Sequence, residues 1–507
     1  MKYLIKTLIT LCTIYFLLPI TLNASTLNLS MTSSPSRLNP LLASDSASSE
    51  ITDWIFNGLF KYDKDGKIAL DLASKYTFES KTKLIIYLRE DVLWHDGEKF
   101  TAKDVVFTYN SIINPKIFVT FGSNYEKVHS VKALDPYTIE IIYKEPYFKA
   151  LEAWLVGILP YHIYKDEKDM MTSIYNKQPI GTNAYKLKSF QSGKDIKLVA
   201  FDDYFDGRAK IDEINYTFLP DPTTSFLMLK QKKLDVGKLT PLQIDRQINK
   251  KFKENYSIIE QPSLSYSYLG FNLNHKKFKN IKIRKALSLA INRQELVDIL
   301  FLGHGKVNNG PFLKGSFVYP EDTKNIVQDV QKAKKLLQEA GYNKNNPFTF
   351  EVVTNTGNEI RINAAQILQY QLQKVGVIMK IRVMEWQAFL NTVVHPRNFE
   401  AVLLGWSLAL MPDAYPLWHS NSRKTGSFNL TGYTNKEVDT LIEMGSTTID
   451  KVKFSKIYKK IFKKITSDLP YLFLYTSNSI TVVNKKIKNV EPAFLGIMHN
   501  QKNWIKP

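Results

Sequence analysis

The sequence predicts an α/β protein built from more than one lobe. Three observations carry this. Strand-like and helix-like runs alternate, most clearly between residues 348 and 404. Some 480 residues remain after the N-terminal segment, more than one core accommodates. Hydrophobic residues make up 44% of the chain, enough for packed domains.

The first 24 residues, MKYLIKTLITLCTIYFLLPITLNA, have the layout of a secretory signal. Lys2 and Lys6 form a positive start, Leu8 to Leu22 an apolar centre, and Asn23-Ala24 a small-residue cleavage point. The apolar run is short of the roughly 20 residues a membrane span needs, and Pro19 interrupts it. The mature protein is therefore expected to be soluble and periplasmic. Cys12 is the single cysteine. Leu11 precedes it and apolar sequence follows, which argues against a lipid anchor. The mature chain then has no thiol for a disulfide or a Cys metal site. The net charge of +20 falls to about +18 without Lys2 and Lys6, and the lysines are spread rather than clustered. That distribution speaks for a solvated surface and against nucleic-acid binding.

Along the mature chain, residues 26–30 read as a strand and 84–88 (LIIYL) as a buried one. Asp96-Gly97 marks a turn. Thr101 is the expected N-cap of a helix, with Asp104 at N3 in a capping-box position. Residues 283–302 carry apolar positions at helical spacing, closed by Gly303. Asp329 to Ala340 reads as another helix, with Gly341 at C′. Phe348 to Thr354 is a strand, about Glu359 to Val375 a helix, and Met379 to Met384 and Ala401 to Leu404 further strands. The stretch GWSLALMPDAYPLWHS, Gly405 to Ser420, is too proline-rich for a helix and too aromatic for an idle loop. It is expected to face a ligand enclosed between two lobes. HExxH, GxSxG and P-loop motifs are all missing, so no enzymatic activity is expected.

Residues 72–111, including LREDVLWHDGEKFTAKDVVFTY, resemble the signature of the family 5 extracellular solute-binding proteins. These are the dipeptide, oligopeptide and nickel receptors of ABC importers. PIGTNAYKL (179–187), IRKALSLAINRQELVDILFLGHG (283–305), AKKLLQEAGY (333–342) and TNTGNEIR (354–361) follow in family order. The resemblance implies two α/β lobes with an extra inserted subdomain and a ligand cleft between the lobes. Lobe I is placed at 25–268 with its insertion at about 56–178, and lobe II at 269–477. Residues 478–507 return to lobe I. The implied partners are membrane permease subunits and ATPases, and the protein is expected to be a monomer without a cofactor. Under this reading WHDGE (94–98) is scaffold rather than a metal or acid–base site.

Peptide receptors of the family carry an aspartate near the third residue after the tryptophan that matches Trp406, and it pairs with the peptide α-ammonium. Here that residue is Ala409, with Asp413 as a possible replacement. Arg361, on the first turn of a helix, could clamp a carboxylate where free backbone amides already favour an anion. His499, where relatives resemble one another in an aromatic, could ligate a metal through neutral imidazole. His419 is a weaker second candidate. The resemblance to the nickel-binding branch therefore implies a receptor for nickel in a small organic chelate such as nickel–histidine. Arg361 would grip the chelator, His499 would coordinate the metal, and Trp406 would line the same cavity. Nickel would be cargo, and a di- or oligopeptide receptor is the alternative.

Overall fold

The computed structural model describes residues 24–117, 119, 121–424, 427–493 and 496–507. The signal-like segment up to Asn23, with Cys12, lies outside the described residues. Local signals decide much of the secondary structure. The Thr101–Asp104 capping box is formed, and helix Ala102–Ile113 follows it. Helix Val330–Glu339 ends as expected, with Gly341 at φ +90°, a conformation that a Cβ would strain.

Two places depart from the sequence pattern. The 283–302 region is two helices, Ile281–Ala290 and Arg293–Phe301. Between them Ile291 is extended, and the Asn292 side chain caps the second helix by accepting from the Glu295 amide. Arg293 is buried beside this break and donates to the Phe473 and Ser288 carbonyls. The aromatic stretch, expected to be non-helical, contains one helical turn, Tyr415–Trp418. Pro416 sits in its first turn, where no amide donor is needed.

Lobe I holds a four-stranded sheet in the spatial order Thr26–Met31, Glu213–Phe218, Asp195–Ala200, Tyr185–Gln191. The inserted region carries its own antiparallel sheet, ordered Ala73–Phe78, Lys83–Leu88, Thr138–Tyr143, Val128–Asp135. One apolar core underlies both sheets, and Ile487, Ile497 and Trp504 from the C-terminal segment are buried in it.

Lobe II is built on a mixed sheet in which Ser265–Phe271, Ala401–Ser407 and Thr349–Asn355 lie side by side and Ile378–Met384 forms the edge. Strand Tyr471–Asn484 pairs with Ser265–Phe271 and runs on to pair with Val236–Lys238 and Tyr256–Pro262. Its 14 residues thus start in the lobe II core at Leu472 and Leu474 and reach the lobe I core at Val483. Side chains alternate across the lobe II sheet. One face, with Leu269, Leu403 and Leu472, packs on helices Ile281–Ala290 and Glu359–Gln373. The other, with Tyr268, Leu404 and Phe473, packs on helix Lys451–Asp468 and the Trp418 turn.

Candidate functional site

A cavity of about 1520 Å³ lies between the lobes. Lobe I contributes Tyr62, Phe121, Asn124, Phe148, Lys149 and Glu152, while lobe II contributes Phe312 to Phe317, Trp406 to Asp413, Trp418 and Phe454. Gln261 to Leu264, Thr476 and Asn478 line it where the strands cross between lobes.

Three contacts join the lobes around this space. The Phe148 ring stacks on Phe454 with centroids 5.2 Å apart, and its amide donates to the Ser446 carbonyl. Gly66, at φ +72° in the turn after strand Phe60–Tyr62, packs against Leu410, whose Cδ2 would lie 2.6 Å from a Cβ at that position. The Lys149 ammonium donates to Asp413 Oδ2 at 2.5 Å and to Asn124 Oδ1 at 3.2 Å. Asp413 is therefore in the cavity wall, already paired, with its second oxygen accepting from the Tyr415 amide. Lys149, Glu152 and Phe148 were not singled out by sequence, since no local motif marks them.

Trp406 lines the cavity, stacked on Tyr268 at 6.1 Å with its Nε1 donating to the Tyr471 hydroxyl at 3.3 Å. Ala409, Leu410 and Met411 follow in the wall, and their backbone amides have no hydrogen-bond partner among the described residues. An unpaired main-chain donor at a cavity wall can pair with the backbone of an extended ligand.

Arg361 is elsewhere. Its Nη2 lies 3.5 Å from where a Cβ on Gly405 would stand, so it faces the side of strand Ala401–Ser407 opposite the Trp406 ring. It borders a separate recess of about 280 Å³ with Ser265, Ser267, Ser407, Tyr475 and Ser477. This recess meets the large cavity only at Trp406 and Ser407. The guanidinium donates to Asn355 Oδ1 at 2.6 Å, its Nε has no partner, and no carboxylate pairs with it among the described residues. Burial lowers its pKa. The Asn358 side chain accepts from the Arg361 amide and so occupies part of the helix N-terminus.

The structure does not bring His499 to either space. It is exposed on the short turn Met498–Asn503 and lines neither cavity. His419 is buried in a hydrogen-bonded loop, stacked on Tyr415 at 4.3 Å and accepting from the Asn421 amide. Among the described residues no three His, Cys, Asp or Glu side chains cluster as a metal site. In WHDGE, Trp94 is buried in the lobe I core and Gly97 turns the chain at φ +93°. His95 accepts from the Gly181 amide and its other nitrogen meets the Asn183 carbonyl. Burial pushes its pKa down to about 4. These residues fasten the insertion to lobe I.

Comparison with known proteins agrees with this architecture. Residues 67–429 match the model of bacterial extracellular solute-binding proteins, family 5. The oligopeptide-binding protein AppA of Bacillus subtilis is 32% identical over 491 residues, covering 93% of this chain and 89% of AppA. The glutathione-binding protein GsiB of Pectobacterium atrosepticum is 27% identical, covering 89% and 88%. The structure of B. subtilis AppA in complex with a nonapeptide superposes with TM-score 0.86 at 30% identity, covering 95% of this chain and 99% of AppA. That of NikZ from Campylobacter jejuni in complex with Ni(L-His) gives 0.85 at 27% identity, with the same coverage of both chains. Among the described residues no helix is long and apolar enough to cross a membrane. With its two α/β lobes, inserted subdomain and interlobe cavity, the chain belongs to the family 5 bacterial extracellular solute-binding proteins, the ligand receptors of ABC importers.

Proposed function

We propose that this receptor captures oligopeptides in the interlobe cavity and delivers them to an importer permease. The observation that carries the reading is the cavity itself. At about 1520 Å³ it exceeds the roughly 300–1,000 Å³ that suits a single small ligand. The free amides of Ala409, Leu410 and Met411 supply main-chain hydrogen bonds independent of ligand sequence. Apolar walls from Phe148, Phe312, Trp406 and Phe454 accommodate side chains. The likeness to AppA, which is oligopeptide-binding, supports the same reading.

The second reading is a nickel–histidine chelate. The unpaired Arg361 guanidinium favours it, as a carboxylate clamp, together with the likeness to NikZ in complex with Ni(L-His). It places the chelate beside Arg361, next to Trp406 and Ser407, and requires the segment bearing His499 to reach the metal. Calorimetry of the exported form with an oligopeptide set and with nickel plus histidine tests both. Peptide binding with no heat from nickel–histidine supports the first reading. The reverse supports the second.

A further inference from the structure

One corner of the cavity carries an unbalanced charge. Lys149, Asp413 and Glu152 all line it. Lys149 and Asp413 neutralise each other at 2.5 Å, with side chains only 10% and 17% exposed. Glu152 stands three residues after Lys149 in the turn Glu152–Leu155. Its carboxylate accepts from its own backbone amide but forms no ion pair and no hydrogen bond to another side chain among the described residues, and Lys149 is the one cation acting on it. The other lysines of the wall, Lys67, Lys306, Lys314 and Lys451, do not pair with it, and Lys451 is drawn over the Phe317 ring instead. Two carboxylates against one ammonium leave this corner one negative charge in excess. Burial alone raises the Glu152 pKa, and the Tyr147 hydroxyl beside it is raised by burial and then by Asp413 and Glu152. A carboxylate in a part-buried wall that has only a shared cation is costly, and a cation arriving with the ligand would offset that cost. Tyr62 and Phe121 line the same part of the cavity, while Phe148 is already stacked on Phe454 with the Lys149 ammonium over its ring.

We propose that Glu152 is the acceptor for a primary ammonium on the ligand, with Lys149 holding Asp413 out of that role. The proposal rests on the peptide reading and sharpens it, because position 409 offers no acid. A peptide can bring an ammonium from its N-terminus or from a lysine side chain, and Glu152 recognises the shared group.

The test uses the exported protein and a lysine-free oligopeptide library, in free-amine and N-acetylated forms, with retained species read by mass spectrometry and titrated by calorimetry. A third library is acetylated but contains lysine. The expected result is that wild type prefers free-amine or lysine-containing peptides by roughly tenfold or more. Glu152→Gln should lose that preference while binding the acetylated, lysine-free library unchanged. A preference that survives Glu152→Gln overturns the proposal, as does one abolished only by Asp413→Asn. Wild type that binds acetylated and free peptides equally also overturns it while leaving the peptide reading intact. Wild type that retains no peptide at all overturns the peptide reading itself.

Discussion

Lys149 and Asp413 stand 264 residues apart in the chain, yet their side chains meet across the interlobe cavity at 2.5 Å. Both are largely shielded from water, so the pair is an electrostatic tie between the inserted region of lobe I and the Trp406-to-Trp418 segment of lobe II.

Breaking that tie from one side should cost more than removing it. Lys149→Met leaves the Asp413 carboxylate buried without its partner and should lower stability by about 3 kcal/mol. The double change Lys149→Met, Asp413→Leu should recover most of this. Urea unfolding of the three variants checks the order. Small-angle scattering of unliganded Lys149→Met should also show a larger radius of gyration than wild type, because a side-chain tie across the cavity is gone. An unchanged radius would mean that the remaining contacts, Phe148–Phe454 and Gly66–Leu410 among them, hold the lobes without this pair.

Arg361 separates the two ligand readings because it lies across the sheet strand from Trp406. Arg361→Ala should leave peptide affinity within about twofold of wild type. Any nickel–histidine affinity should fall roughly ten- to hundredfold, the loss of a charge-assisted hydrogen bond of about 1.5–3 kcal/mol. Parallel titrations with both ligands measure this. A large loss of peptide affinity would place the peptide in the Arg361 recess instead.

The C-terminal segment should be indispensable to lobe I. Trp504 is fully buried in that lobe's core, with its Nε1 donating to Asn500 Oδ1 at 2.9 Å. Trp504→Ala should cost about 3–5 kcal/mol, read from the denaturant midpoint. His499→Ala, on the exposed turn beside it, should leave the midpoint unchanged.

His95 should make stability fall in mild acid. Burial holds its folded pKa near 4, against an ordinary 6.5. Between those values the unfolded chain binds the proton that the folded one refuses. Stability from this group is intact above about pH 6.5 and declines as the pH drops toward 4. His95→Gln should flatten that part of the urea-midpoint profile and leave the profile above pH 7 parallel to wild type.

Some of this molecule was legible from short windows of sequence. The Thr101–Asp104 box, the Gly341 helix end and the strands around 26–30, 84–88 and 401–404 all appear where local patterning places them. The family motifs likewise announced the two lobes and the insertion. Other features escaped the same reading. The break at Ile291–Asn292 interrupts a continuous helical pattern, because the Asn292 cap and the buried Arg293 contacts outweigh periodicity there. Trp406 and Arg361 each carried a binding signature, but nothing local says that a strand would stand between them.

The sequence by itself determined the α/β class, several of its elements, the family and the absence of an acid at position 409. Those follow from hydrogen bonds and steric preferences within a few residues, or from motifs read in line. Tertiary structure alone decided that Lys149 pairs with Asp413, that Glu152 shares that one lysine and forms no ion pair of its own, that Arg361 has its own recess and that His499 faces outward. With 68 Lys and Arg and 48 Asp and Glu in the chain, composition cannot choose which charges meet. Packing chooses, because closing two lobes removes water from a few side chains brought together from distant parts of the chain. Only those few then feel one another strongly.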